Sequence, residues 1–151
     1  TPIVFLIGKP KTGKGSLAKL ISKKLGLVII KIKHIVQQFQ HSIVIPYRQD
    51  TQVARSGDVL SDELVVDLIE KRVQLADCVT RGWILDGMPR NKAQAELLIK
   101  RGLAPSAVFS LQLSDNDIKR RVAATKSTKY GYNPSVVNER IQRCRDDLLA
   151  M

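Results

Sequence analysis

The sequence lacks the segments that would assign the chain to a membrane or a secreted class. No apolar run approaches the roughly 20 residues of a membrane-spanning helix, and nothing at the start of the chain resembles a signal peptide. We therefore expect no membrane partner. The only cysteines, Cys78 and Cys144, match neither a disulfide framework nor a metal motif. We expect both to be buried thiols in a reducing, cytoplasmic compartment.

Acidic and aromatic residues are also scarce. The 25 Lys and Arg outnumber the 14 Asp and Glu, and none of the acidic residues precedes Asp50, whereas nine basic residues do. This excess indicates either a solvated face beside an anionic-ligand site or a surface for an acidic partner. Aromatic residues are 5% of the chain and are not interleaved with the basic ones, so nucleic acid is a disfavoured partner. Lys9, Lys11 and Lys14 can be assigned to phosphate, but Lys19, Lys23, Lys24, Lys31 and Lys33 cannot all be.

The most informative stretch present is an apolar run followed by a glycine-rich loop. Ile3 to Ile7 predicts a buried strand, and apolar residues from Leu17 to Leu25 recur at helical spacing. Such a loop directs backbone N–H groups and the positive end of a helix dipole at one point, which suits phosphate. Lys14 would reach the β- and γ-phosphates, and the Ser16 hydroxyl is a candidate near Mg²⁺. The predicted phosphate-binding residues are Gly8, Lys9, Pro10, Lys11, Thr12, Gly13, Lys14, Gly15 and Ser16; the alternative is a plain glycine-rich turn.

Strand and helix patterns alternate along the remainder of the chain. Further strands are predicted over 27–30, 82–85 and 107–111, and helices begin near 31, 61, 91, 114 and 134. Ser61 and Asn91 are predicted N-caps, and the Ser61 helix runs to about Ala76. We interpret residues 41–57 as a small mobile insertion. Strands that are apolar throughout predict an α/β fold in which a parallel sheet is covered on both faces. Asp86 closes the third strand at the edge where the glycine loop lies, so it is a candidate Mg²⁺ ligand or, alternatively, a capping residue in a turn.

Three motifs resemble those of the adenylate kinase family. They are Gly8-Lys-Pro-Lys-Thr-Gly-Lys-Gly-Ser16, Gly57-Asp-Val-Leu-Ser-Asp-Glu-Leu64 and Gly82-Trp-Ile-Leu-Asp-Gly-Met-Pro-Arg90. The resemblance covers the whole chain and implies a three-layer P-loop NTPase-like α/β/α fold that transfers phosphate from Mg-ATP to AMP. It implies one domain over 1–151 that is incomplete at its C-terminus, because the family continues with a fifth strand. The sequence stretch Cys78…Gly82-Trp83 is similar to that of the divergent adenylate kinase domains of multidomain proteins of cilia and flagella. This resemblance implies a larger, axonemal assembly.

The resemblance also implies roles for individual residues. The implied catalytic residues are Lys14, Asp86, Arg90, Arg121 and Arg140; the implied AMP-binding residues are Gly57, Val59, Leu60, Gly87, Arg90 and Gln94. Asp86 would hold Mg²⁺ through water near Ser16, and the Met88–Pro89 bond would be cis. Arg121 and Arg140 can alternatively be solvated helix residues, and Gln94 can be part of a helix cap.

The sequence departs from the family pattern in the AMP-binding insertion (about 32–60) and in the lid (about 126–133). Ile32 and Gln37 stand where the family has an AMP-binding threonine and arginine, and Thr125 replaces an expected arginine. The short lid has no arginine and no acid, and Lys129 lacks the bidentate geometry of arginine. Two hypotheses follow: a weak nucleoside monophosphate kinase, or a nucleotide-binding or structural pseudokinase inside a larger assembly.

Overall fold

The computed structural model describes residues 1–39, 60–124, 138–139, 141–143 and 145–146. Strands and helices alternate along the chain. In order they are β1 (Ile3–Gly8), α1 (Lys14–Leu25), β2 (Val28–Ile30), α2 (Ile32–Phe39), α3 (Asp62–Val73), α4 (Ala76–Arg81), β3 (Trp83–Asp86), α5 (Lys92–Lys100), β4 (Ala107–Leu111) and α6 (Asp115–Ala124). The described residues between 138 and 146 are helical, as predicted for the end of the chain. None of the described helices combines the length and the apolar character needed to cross a membrane.

The described strands form one parallel sheet in the order β2-β3-β1-β4. The register pairs Leu6 of β1 with Asp86, and Leu85 with Ile30 of β2. The loop after β1 and the carboxyl ends of β2 and β3 therefore lie at one edge of the sheet. Open parallel sheets bind their ligands at this edge.

Helices pack on both faces of the sheet, which confirms the predicted three-layer α/β/α fold. Alternate residues of a strand point to opposite faces, so Val4 and Leu6 pack with Ala18 of α1, while Phe5 packs against the opposite layer. That second, larger core is built mainly from α2, α3, β3 and α5. Its buried members are Phe5, Ile30, Ile32, Ile35, Val65, Val66, Leu68, Ile69, Val73, Cys78, Trp83, Leu85, Met88 and Leu98.

Strand β4 corrects the expectation that every strand is covered on both faces. Its side chains Val108 and Phe109 are 52% and 45% exposed. Among the described strands, β4 pairs only with β1 and forms the edge of the sheet. An apolar run in the sequence indicates a strand but does not tell whether its neighbours cover it.

The segment between α3 and β3 also differs from the prediction. The helix that begins after Ser61 ends at Val73, three residues before the predicted end, and the short helix α4 follows. Leu75 is extended between the two helices, and the Arg72 guanidinium joins them by donating to both Asp77 carboxylate oxygens at 2.9 and 2.7 Å. The free thiol of Cys78 is buried as expected, and burial raises its pKa to about 11. Cys144 lies outside the residues whose side chains are described.

Candidate functional site

The loop between β1 and α1 presents the uncapped start of a helix. Gly13 precedes α1 with a φ of +99°, no side chain caps the helix, and its first turn contains no acidic residue. The N–H groups of a helix's first turn have no partner within the helix, and the helix dipole adds a partial positive charge. A glycine is required at position 8 (φ +143°), since a Cβ there would lie 2.5 Å from the Leu111 carbonyl oxygen. The uncapped, positively polarised start of α1 suits an anion.

The Lys14 side chain folds back over the loop. Its ammonium group donates to the carbonyl oxygens of Gly8 at 2.8 Å and Lys9 at 2.6 Å. Gly87, which follows β3, lies beside this side chain, since a Cβ at Gly87 would be 3.7 Å from Lys14 Cε. The Met88–Pro89 peptide bond, which directly follows Gly87, is cis as predicted. The first and third motifs of the sequence therefore meet at Lys14.

Asp86, at the end of β3, faces the same loop. Its carboxylate is 7% exposed and forms an ion pair with Lys31, whose Nζ lies 3.0 Å from Asp86 Oδ2. A Cβ on Gly15 would lie 3.4 Å from that Nζ and 3.7 Å from that oxygen. The structure thus brings Asp86 to the loop, as predicted, and adds Lys31, which the sequence analysis left without an assigned role.

Arg121 approaches the loop from α6. Its Nη1 donates to the Lys11 carbonyl oxygen at 3.1 Å and would lie 3.9 Å from a Cβ on Gly13. Lys11 itself has a φ of +61°, a left-handed conformation that is costly for a residue with a side chain. Arg121 is nevertheless exposed, so both its contact with phosphate and the alternative of a solvated helix residue stay predictions.

These residues surround one cavity of about 800 Å³. Its lining contains five cationic side chains and one carboxylate. The lining residues are Lys11, Gly13, Lys14, Gly15, Ser16, Lys19, Lys31, Asp86, Arg121 and Ala124. A cleft of one charge sign raises the local concentration of oppositely charged ligands. The cavity is therefore chemically matched to a polyanion such as a nucleotide's phosphates.

The basic residues near the N-terminus are divided between this cavity and the surface. Lys19 and Lys31 line the cavity, although the sequence analysis did not assign them to phosphate. The Lys9 ammonium instead forms an ion pair with Asp115 at 2.7 Å, and Arg145 contacts the same carboxylate. In this arrangement the Lys9 side chain is paired with Asp115, and its contact with phosphate stays a prediction. The spacing of lysines along the sequence does not predict which of them line the cavity, because their positions depend on the strand register and on the placement of α6.

The predicted acceptor side is only partly within the described residues. Gln94 is 5% exposed; its Nε2 donates to Asp62 Oδ1 at 2.8 Å, and its Oε1 accepts the Arg90 N–H at 2.8 Å. Asn91 caps α5, as predicted, by accepting the Gln94 N–H at 2.9 Å. Leu60 packs against the larger core. The buried Gln94 amide thus joins α5 to α3, a role that the sequence analysis did not foresee.

Other predicted residues lie outside the described part of the chain or differ from the family. Gly57, Val59, Thr125, Lys129, Arg140, the mobile-insertion prediction for 41–57 and the lid at 126–133 fall outside it. Ile32, which by the resemblance stands where the adenylate kinase family has a threonine, is buried in the larger core, whereas Gln37 on α2 is exposed. His34, also on α2, is exposed as well. An isoleucine used in packing leaves no hydroxyl for a ligand at that position.

The oxygen donors for Mg²⁺ are sparse. Asp86 and Ser16 are the candidates, and Mg²⁺ demands near-octahedral oxygen coordination. The Asp86 carboxylate is already paired with the Lys31 ammonium, which would repel a dication. Among the described residues, no group of three or more His, Cys, Asp or Glu is placed to hold a metal. The residues as arranged therefore do not fit a Mg²⁺ ion that uses Asp86.

Comparison with known proteins identifies similar chains. The family model described as adenylate kinase matches residues 6–149. Adenylate kinase 8 of Danio rerio is 31% identical over 129 residues, which cover 82% of this chain and 25% of that protein. The chain thus spans about a quarter of the length of this curated relative.

Proposed function

The chain belongs to the adenylate kinase family, and on this basis we propose that it binds ATP through Gly8–Ser16 and transfers its terminal phosphoryl group to AMP. The observation that carries the proposal is the basic cavity in which the uncapped α1, Lys14, Asp86 and Arg121 converge. The proposal treats residues 1–151 as one domain of this family.

The proposed reaction needs charge neutralisation and positioning rather than covalent help. An oxygen of the AMP phosphate bonds to the γ-phosphorus as the bond from that phosphorus to the β–γ bridging oxygen breaks, which yields two ADP. The first-turn N–H groups of α1 would hold the phosphates, and Lys14 would exchange its carbonyl partners for phosphate oxygens. Arg121, and by resemblance Arg90 and Arg140, would stabilise negative charge on the transferring and accepting phosphates. Such preorganised donors supply most of the acceleration in phosphoryl transfer.

The proposed rate is low. Ile32 is a core residue where the family has an AMP-binding threonine, and Gln37 and Thr125 replace arginines. Loss of one charged donor to a transition state costs about 10²–10³ in rate. The family uses Mg²⁺, but the pairing of Asp86 with Lys31 gives no support to a role for that ion here.

A coupled assay for ADP formation from ATP and AMP tests the proposal. Lys14→Ala should abolish the activity, and Lys23→Ala, at an exposed lysine in the last turn of the same helix, should leave it unchanged. Equal rates for the wild type and Lys14→Ala would mean that this site is not catalytic.

A second candidate is a nucleotide-binding or structural domain without kinase activity in a larger, axonemal assembly of the cytoplasm. The buried Gln94 amide favours it, because its donor and acceptor already serve Asp62 and the Arg90 backbone. The exposed Lys23 and Lys24 could then meet an acidic partner. A thermal-shift titration with ATP separates a nucleotide-binding domain from a purely structural one. ATP that binds the folded state raises the melting temperature, whereas a purely structural domain shows no shift.

A further inference from the structure

The ion pair between Lys31 and Asp86 sits inside the phosphate cavity, not on the outer surface. Lys31 Nζ lies 3.0 Å from Asp86 Oδ2, and the two side chains are 38% and 7% exposed. Both line the cavity together with Lys14 and Gly15. A buried carboxylate needs a partner, and here that partner is a cation of the chain itself.

The fold determines the position of Lys31. Ile30 pairs with Leu85 in the sheet, so the next residues of the two strands, Lys31 and Asp86, emerge side by side at the carboxyl edge. The Lys31 carbonyl oxygen also accepts the N–H groups of His34 at 3.0 Å and Ile35 at 3.1 Å as α2 begins. A strand end and a helix start therefore hold its backbone in place.

The Lys31 ammonium also faces the phosphate loop. A Cβ on Gly15 would lie only 3.4 Å from Nζ, and Gly15 belongs to the first turn of α1. An ammonium group has three N–H donors, and the contact with Asp86 uses one of them. A phosphate held at the start of α1 would thus come within reach of this cation.

The electrostatic consequence concerns the metal. In phosphoryl transfer a divalent cation ordinarily neutralises the phosphates. Lys31 compensates the charge of Asp86, so this carboxylate does not repel a polyphosphate, and the lining carries four more cationic side chains, namely Lys11, Lys14, Lys19 and Arg121. The same pairing leaves Asp86 a poor ligand for Mg²⁺.

We propose that Lys31 is a phosphate-binding residue that takes the place of a divalent cation, so that the cavity accepts the metal-free form of a nucleoside triphosphate. The inference rests on the proposed function, because it assumes that the cavity binds nucleotide phosphates. Under this inference Lys31 contributes mainly to the affinity for the metal-free ligand. A purely structural ion pair would not distinguish the metal-free ligand from its magnesium complex.

The test is calorimetric titration of ATP, and separately of inorganic triphosphate, in EDTA and in excess MgCl₂. The wild type should bind ATP in EDTA with a dissociation constant within about threefold of that in MgCl₂. Lys31→Met should weaken binding in EDTA by about tenfold or more, the usual loss for a charge-assisted contact, and change it much less in MgCl₂. Lys31→Arg should retain binding in EDTA. Lys33→Met, at an exposed lysine two residues further on, is the matched control and should behave as the wild type.

Because Lys31→Met leaves a buried carboxylate unpaired, the Lys31→Met/Asp86→Asn double variant, which removes both charges, is titrated as well. It should show the same selective loss in EDTA. If the wild type binds only in MgCl₂, or if both Lys31→Met variants bind like the wild type in EDTA, the inference is overturned while the proposed function stands. If the wild type binds neither ligand in either buffer, the proposed function fails and the inference fails with it.

Discussion

Replacement of Gln94 by alanine should destabilise the fold, not merely weaken nucleotide binding. Its Nε2 donates to the Asp62 carboxylate and its Oε1 accepts the Arg90 N–H, both at 2.8 Å. Alanine removes both contacts and leaves the Asp62 oxygen without one of its two amide donors, since Asn91 Nδ2 also donates to it at 3.0 Å. The perturbation therefore strikes the junction between α3 and α5.

The size of the effect follows from the two contacts. A hydrogen bond to a charged group contributes about 1.5–3 kcal/mol, and one between neutral groups about 0.5–1.5 kcal/mol. Because Asn91 still serves Asp62, we expect a loss of about 2–4 kcal/mol in the free energy of unfolding. For a domain of this size, each kcal/mol lowers the melting temperature by about 2–4 °C.

Urea unfolding followed by tryptophan fluorescence measures this loss. Trp83 is the only tryptophan in the sequence and is buried in the larger core, close to Phe5. Gln38→Ala, at an exposed glutamine on α2, is the control and should stay within about 0.5 kcal/mol of the wild type. If Gln94→Ala unfolds at the same urea concentration as Gln38→Ala, the reasoning is refuted, and the amide would instead be free to read a nucleobase.

Three further changes should alter stability in predictable directions. Gly82→Ala should cost about 2–4 kcal/mol in urea unfolding, because φ is +80° and the new Cβ would lie 2.4 Å from the Pro2 carbonyl oxygen; an unchanged midpoint would contradict this. Lys11→Gly should raise the free energy of unfolding by about 0.5–1 kcal/mol, since glycine adopts the φ of +61° without strain. A variant less stable than the wild type would show that the strain is absent. The Arg72 guanidinium lowers the pKa of Asp77 to about 2, so this pair stabilises the fold above pH 4 and its contribution is lost as the pH falls through 2. The difference in unfolding free energy between the wild type and Asp77→Asn should therefore shrink as the pH falls over that range. The difference should be small, since Asp77 is 42% exposed and screened by solvent. A difference that does not depend on pH would exclude the Arg72–Asp77 pair as its source.

The features predicted correctly from the sequence depend on local chemistry. Apolar runs located all four described strands, and the side chains of Ser61 and Asn91 cap helices as expected. The placement of Lys14 and Asp86 at one sheet edge followed from a general rule for parallel sheets. These predictions did not require knowledge of which strands are neighbours.

The features that the sequence analysis missed depend on non-local packing. Helix α4 has only six residues, too few to show a helical period. The position of Lys31 beside Asp86 arises from the register between β2 and β3, and the contact of Gln94 with Asp62 arises from the approach of α3. The exposure of Val108 depends on what lies beside β4. None of these relations is contained in residue spacing along the chain.

The central claim is that the start of α1 and the Lys14 ammonium hold the anionic end of a nucleotide. Calorimetric titration with ATP of the wild type, Lys14→Met and Lys23→Met tests it most directly. Loss of one charge-assisted contact predicts that Lys14→Met binds about 10-fold to 100-fold more weakly than the wild type, while Lys23→Met binds equally well. Equal affinity of all three proteins for ATP would contradict the account.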